Sequence, residues 1–482
     1  VDFATRKVNL CSLLIDGGVI KTRTPNHGPR PSAARTINLG QQYVIPGFID
    51  SHTHLISTGI EMQRLDLSRC RSLEDCLQKI SAQSKKRDLV FASNWDETQW
   101  RRDERDHLTR KTLDRISRKK PLIMRRVCGH YAVVNTPALR HIDDKWTIVD
   151  RHHGILYEDV VLNLNDIFAP TDEMLEKALV LATRKALRLG ITSVHEISNP
   201  KRFRLMQKHQ KDLRVRFAIY LTHRYHPDIA ASGLRTSYGN DWLRFAGTKI
   251  YIDGSIGART AALWGNYRRT GRRGRILFSA NRLQRLVRSA EIHGIQLMIH
   301  SIGDRSTDMV LNTLKKNTAA SNPLRHRLEH IEMVGDNAVR KISRLKIIAS
   351  MQPNFVRRWQ NPDGMYEKIL GPKYLTMNCF SSLIKARITV VFGSDCMPLG
   401  PLYGIPGAVW HPSSYCKLDV AEAFRLYTEA GAYATFDEKK KGKLEPGYLA
   451  DLLVLNKNPL EEKNLSELKI ESVMVGGRVV HK

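Results

Sequence analysis

The run Val44-Ile45-Pro46-Gly47-Phe48-Ile49-Asp50-Ser51-His52-Thr53-His54 decides how this chain is read. An apolar stretch of strand length delivers two histidines at i and i+2, and side chains two apart project to one face of a strand. Both imidazoles can therefore reach one point, and neutral imidazole is a good zinc ligand. A lone H-x-H arises often by chance. Its weight depends on what the rest of the chain sets beside it.

Seven further stretches read as strands with helix-like segments between them. They are Gly190 to Glu196 (entered from a helical stretch, Asp172 to Leu189), Val215 to Tyr220, Thr248 to Asp253, Gln296 to His300, Arg327 to His330, Ile347 to Met351 and Thr389 to Asp395. Alternating β and α segments predict a parallel α/β fold, and eight strands is the number a TIM barrel needs. Arg327-Leu328-Glu329-His330 is the weakest of them on propensity. Barrel active sites are assembled from the C-terminal ends of several strands. His300, His330 and Asp395 each fall at such an end, as His52 and His54 do. Any one of them alone reads as a polar cap on a strand; five together point to a metal site. Lys249 lies within Thr248-Lys249-Ile250-Tyr251-Ile252, on the same face as Asp253. An ammonium inside a barrel is costly unless it is paired. Two readings stay open for it: an ion pair with Asp253 or another carboxylate, or carboxylation by CO₂ to an anion that bridges two metals.

Between His54 and Gly190 lies far more chain than one helix requires, which predicts an inserted subdomain after the first strand. Pro121 to Val127, Gly129-His130 and Tyr131 to Val134 read as strand, turn, strand, and Gly154 to Leu162 as a further β-like run. At the two ends, Val8 to Val19 carries a turn at Asp16-Gly17-Gly18, and Leu452 to Asn456 and Val473 to Val480 are strand-like, the latter with a Gly476-Gly477 hairpin turn. These predict one small β-domain stitched from both ends. The expected layout is residues 1–45 and 443–482 in that β-domain, 46–442 in the barrel, and the insert at about 65–168.

The composition sets the outer bounds. The chain has 482 residues, 42% of them hydrophobic, which excludes a disordered or fibrous protein. No run of about 18 apolar residues occurs, so no membrane-spanning helix is expected. The first residues contain no apolar signal segment, and the seven cysteines are scattered, odd in number and free of C-x-x-C pairs. No disulfide framework is indicated, and a reducing cytoplasm is the expected location. With 77 Lys+Arg against 48 Asp+Glu, the formal net charge is +29. That excess admits acidic partners, anionic substrates or a surface tuned to its surroundings.

With these segments in place, the chain resembles the amidohydrolase superfamily, specifically the family 3 branch that includes N-substituted formamide deformylases. The resemblance is carried by Pro46 to His54, Asn94-Trp95-Asp96-Glu97, Gly129 to Asn135, Asp253 to Ala261, His300 to Arg305, Glu329-His330, Gly393-Ser394-Asp395 and Gly442 to Leu452. They run in the right order over nearly the whole length. The resemblance implies a distorted (β/α)₈ barrel with a composite β-sandwich and a zinc centre, binuclear or, as in some members, mononuclear. By motif match, His52 and His54 would hold one metal and His300 and His330 the other. Lys249 would bridge them as a carbamate, and Asp395 would bind metal and act as general base. The implied reaction is C–N bond hydrolysis in an amide, formamide or cyclic amide, by a metal-activated hydroxide on a polarised carbonyl. His130, Trp95 and Asp96, in the insert, are implied to shape the pocket. Arg259 is a candidate for binding an anionic group, and the basic loop Arg268 to Arg275 for attracting acidic substrates. His195 and Glu196 also end a strand, with a structural role expected.

Two rivals remain. The same centre could cleave an ester or lactone. From another class, the +29 charge motivates a nucleic-acid-binding or regulatory protein on an idle barrel. Its basic residues, however, are spread throughout rather than gathered with interleaved aromatics, and no helix-turn-helix or zinc-finger pattern appears. The expected partner is a small amide-like molecule, acidic or not, rather than nucleic acid or membrane, and a homo-oligomer is compatible with the sequence.

Overall fold

The computed structural model describes every residue except 26, 27, 29–31, 105, 106, 128, 130, 145, 147, 148, 158 and 482, together with all side chains of the described residues but those of 99, 159 and 162. It divides into a unit made of residues 1–55 and 182–482 and a second made of 56–181.

The larger unit is built on eight parallel strands: β1 (Phe48–Thr53), β2 (Ile191–Ser198), β3 (Arg216–Thr222), β4 (Leu243–Tyr251), β5 (Gln296–Ser301), β6 (Arg327–His330), β7 (Ile348–Met351) and β8 (Val390–Phe392). Each pairs with its sequence neighbours in strict order from β1 to β8. Helices such as Ala280–His293, Asp304–Asn317 and Asp336–Arg344 lie between consecutive strands. This is the expected (β/α)₈ barrel, all eight anticipated strands included. It is closed without a ladder between β1 and β8. At that seam the Asp395 N–H donates to the His52 carbonyl (2.8 Å), and the Ser394 N–H donates to Asp50 Oδ1 (2.8 Å).

The opening run is two strands rather than one. Tyr43–Pro46 pairs antiparallel with Leu452–Leu455, in a sheet completed by Ile470–Val475 and Arg478–His481. Gly47 makes the switch: its N–H donates to the Asp451 carbonyl (2.9 Å), and a Cβ there would sit 2.3 Å from Thr192 Oγ1. Only a residue without a side chain lets the chain leave one sheet and enter the next at this spot. Both chain ends thus share one sheet, and Cys11–Asp16 and Val19–Pro25 form a separate hairpin. Asp451 ties this sheet to the barrel. Its carboxylate accepts from Arg216 Nε (2.6 Å) and Nη2 (2.9 Å) at the start of β3, both partners buried, and from the Gly476 N–H.

Residues 56–181 carry a mixed sheet in the order Leu65–Asp66, Val90–Trp95, Leu122–Arg126, Tyr131–Val134, Ile155–Tyr157, Val149–Asp150. Period-two alternation sorts its strands between two cores. Val90, Ala92, Leu122, Met124 and Val133 pack with Leu73, Cys76 and Ile80 on one side. Phe91, Ile123, Ala132 and Val134 pack with Leu139, Val160 and Leu164 on the other. The β-like run Gly154 to Leu162 is a strand only as far as Tyr157, and Asp159–Leu162 is helical.

The cysteines depart from expectation. Cys379 and Cys416, 37 positions apart in sequence, are joined in a disulfide. Cys379 precedes the helix Phe380–Lys385 and Cys416 ends a short helical turn, Ser414–Cys416. Tertiary approach creates the pair, so linear spacing carried no sign of it. Among the described residues no helix is long and apolar enough to cross a membrane.

Candidate metal centre

His52 and Thr53 are the last two residues of β1, and His54 follows directly. Asp395 arrives from the other side of the seam, three residues after β8. Its approach requires Gly393, where a Cβ would stand 2.4 Å from the His52 nitrogen and 2.7 Å from His52 Cβ. The chain then turns sharply, with Asp395 and Cys396 both in left-handed backbone (φ 52° and 57°). One ligand atom each from His52, His54 and Asp395 lies within 4.8 Å of the others. Asp395 Oδ1 is 3.3 Å from His54 Nε2 and 3.7 Å from His52 Nε2. Asp395 is 15% exposed and His54 33%, whereas His52 is sealed, so the cluster opens to one side.

His300 and His330 extend the cluster. The rings of His52 and His330 are 4.8 Å apart between centroids, and those of His300 and His330 4.6 Å. Lys249 is wholly buried, with Nζ 3.4 Å from His52 Nε2 and 5.0 Å from the Tyr251 ring centroid. The Asp253 carboxylate accepts from the N–H groups of Ala262, Ile302 and Gly303 and from Ser306 Oγ, pinning the loop after β4 to the loop after β5. All six anticipated ligands therefore converge at the C-terminal ends of β1, β4, β5, β6 and β8.

Hydrogen bonds fix the tautomers of three of these imidazoles. His52 Nδ1 meets a Glu329 oxygen, His330 Nδ1 meets Gln352 Oε1 (2.7 Å), and His300 Nε2 meets the Gly254 carbonyl (3.0 Å). Each of these partners accepts, so the ring nitrogen facing it carries the proton and the other keeps its lone pair. Burial holds His52 and His330 well below the ordinary imidazole range, reinforced by Lys249 for the first and His300 for the second. His300 is also lowered, chiefly by burial. Burial brings Lys249 down to about 8. Burial alone would raise Asp395, but His52, His54 and Lys249 around it outweigh that and hold its carboxyl below the usual range. Neutral nitrogens and one carboxylate in a tight, polar-lined group are a donor set for a divalent cation such as zinc.

Asp50, a supporting residue, was not singled out by sequence. Asp50 Oδ1 accepts the N–H groups of both His52 (3.3 Å) and Ser394 (2.8 Å), so one carboxylate clasps the seam. Burial raises that carboxyl to about 7. Glu196 Oε2 accepts from Thr53 Oγ1 (2.8 Å) and the Leu55 N–H (2.6 Å), bracketing His54, in keeping with the structural role expected of it. For Asp50 the signal was an ionisable residue closing the otherwise apolar run Val44 to Ile49. His195 lies deeper, its Nδ1 accepting from Arg327 Nη1 (2.9 Å).

Arg259 is exposed on the turn after β4 and forms no ion pair with a described residue. Trp95 is core in the 56–181 unit, stacked on Trp100 (5.3 Å) and edge-on to Tyr131. Asp96 caps the short turn Glu97–Gln99 through the Thr98 N–H (3.0 Å). His130 lies outside the described residues.

A family model described as "Amidohydrolase family" matches residues 35–481. The putative amidohydrolase YtcJ of Bacillus subtilis is 27% identical, over 92% of this chain and 90% of that protein. The N-substituted formamide deformylase of Arthrobacter pascens is 23% identical, over 97% of this chain and 95% of that protein. The solved structure of an uncharacterized metal-dependent hydrolase from Pyrococcus furiosus shares the fold, with a TM-score of 0.81 at 24% identity over 93% of this chain and 95% of that one.

Proposed function

Because the chain belongs to the amidohydrolase family, a family of metal-dependent hydrolases, we propose that it cleaves a C–N bond in an amide, formamide or cyclic amide. The observation that carries this reading is the meeting of His52, His54 and Asp395 at the open end of the barrel, within 4.8 Å of one another. His52 and His54 would hold one zinc ion and His300 and His330 a second, and Lys249, carboxylated to an anion, would serve both; a single-ion centre would draw on the same set of ligands. A metal there supplies Lewis acidity, lowering the pKa of a water and polarising a carbonyl oxygen.

The rest of the chemistry belongs to the side chains. Asp395 is ionised at neutral pH and partly exposed, so it can take a proton from water and return it to the departing nitrogen. Its Oδ1 lies beside the Nε2 atoms of His52 (3.7 Å) and His54 (3.3 Å), and 15% of its side chain stays exposed to meet reactants. Arg259, exposed beyond β4, is the residue we assign to pairing with an acidic group on the substrate. The name of the Arthrobacter pascens relative makes N-substituted formamides the first compounds to try.

The deciding experiment is metal analysis joined to an activity screen. Purified protein is expected to carry at least one zinc per chain, to lose hydrolysis of N-substituted formamides on chelation and to regain it with zinc. Protein that holds less than one metal per chain and stays inactive with added zinc overturns the reading. Turnover of esters or lactones alone would replace the C–N assignment.

A further inference from the structure

The interior of the barrel contains an ion pair that the chemistry above leaves unused. Arg327 and Glu329 sit two apart on β6, side by side, and neither is exposed at all. Glu329 Oε1 accepts from Arg327 Nε (2.5 Å) and Oε2 accepts from Nη2 (3.0 Å). The guanidinium spends its remaining donors on three other strands: the Ser51 carbonyl on β1 (2.6 Å), His195 Nδ1 on β2 (2.9 Å) and Ser350 Oγ on β7 (2.6 Å). Oε2 of Glu329 has a second partner, Nδ1 of His52.

Two buried charges are costly and rarely add net stability over an apolar pair of similar volume. This pair touches the metal-ligand strand at two points, however. Glu329 holds the far nitrogen of the His52 ring, and Arg327 holds the carbonyl of the residue just before His52. One bond sets which nitrogen carries the proton and the other fixes the backbone from which the ring projects. The free Nε2 is thereby aimed toward Asp395 Oδ1, 3.7 Å away. A carboxylate behind a ligating imidazole is a general device for fixing tautomer and orientation.

We propose that Glu329 and Arg327 are positioning residues for the metal centre: Glu329 holds the Nδ1 proton of His52 so that Nε2 is presented to the metal, and Arg327 neutralises and aims Glu329. The inference rests on the reading of His52 as a metal ligand. It assigns Arg327 to a task that requires a bidentate fork with extra donors, which a lysine cannot supply.

The test is zinc binding by the full chain, measured by competition against a chromophoric chelator, with circular dichroism of the metal-free protein. Glu329→Gln is expected to bind zinc about 10–100-fold more weakly than wild type. Because that variant leaves the Arg327 charge uncompensated and can fail to fold, a second one is made, Arg327→Met with Glu329→Leu. This double variant removes both charges at similar volume and leaves His52 Nδ1 without its acceptor. It is expected to fold and still to bind zinc about 10–100-fold more weakly. A purely structural pair predicts instead that affinity returns once folding does, so a folded double variant with wild-type affinity overturns the proposal and leaves the metal centre standing. If the wild type binds zinc no better than His52→Ala, the metal reading itself fails and this inference falls with it.

Discussion

Asp395 combines three properties rarely found together in one carboxylate: it is close to two imidazoles, ionised against the cost of burial, and open to solvent on one edge. Asp395→Asn keeps the size and removes the proton acceptor, so kcat is expected to fall by about 10²–10⁴-fold in steady-state assays. Lys249→Ala should abolish activity and, if the lysine bridges two ions, leave one metal where wild type holds two; a variant that retains both overturns the carbamate. A second titration lies away from the centre. His411 is buried, with Nδ1 accepting the Ser413 N–H (3.0 Å) and Nε2 facing the Met377 carbonyl (3.1 Å), and burial lowers it to about 4. Above the unfolded value of about 6.5 both states leave this ring neutral, so its contribution is intact. As the pH falls below that, the unfolded chain takes up a proton that the folded one refuses, and stability drops until about pH 4, by up to ~3 kcal/mol. Urea unfolding at stepped pH should show this slope reduced in His411→Asn. At this scale the ligands were legible because H-x-H and strand-end placement follow from local geometry. The hydrogen bonds behind them were not, since Glu329 reaches His52 across 277 residues of sequence.

Among the elements, β6 shows why propensity misleads inside a barrel. Arg-Leu-Glu-His is poor strand material, yet all four residues are buried because their polar groups find partners in one another and on other strands of the barrel. Order along the chain, not composition, made it legible as a strand. The break at Gly47 was missed for the opposite reason: Val44 to Ile49 carries no polar side chain, and the pairing with Leu452–Leu455 and the Asp451 contact reveal two sheets. Two elements offer direct tests. Gly393→Ala forces a methyl against His52 and should cost about 1–3 kcal/mol in denaturant unfolding, with a loss of bound metal beyond what that destabilisation explains. Asp451→Ala strands the buried Arg216 and should cost about 3–5 kcal/mol, because the guanidinium loses its bidentate partner.

For the whole molecule, the excess of positive charge is compatible with the hydrolase reading without being required by it. The arginines at 268, 269, 272, 273 and 275 are exposed on one loop after β4. If they gather acidic substrates, KM for these compounds should rise with salt while KM for neutral ones stays flat. The eightfold architecture was readable from the alternation of segments, whereas the Cys379–Cys416 pair, a product of folding, was not.

The seam between β1 and β8 also imposes a timetable. Asp50 and Ser394, which it joins, are 344 residues apart. At a synthesis rate of about 5–20 residues per second, both histidines of β1 emerge roughly 20–70 s before the aspartate that completes their cluster. During that interval the nascent chain can offer a metal the imidazoles of His52, His54, His300 and His330 and the side chain of Lys249 as each emerges, but not the carboxylate of Asp395. Maturation of the centre is therefore tied to the last barrel strand, and chains interrupted before residue 395 should leave the ribosome unable to retain the ion.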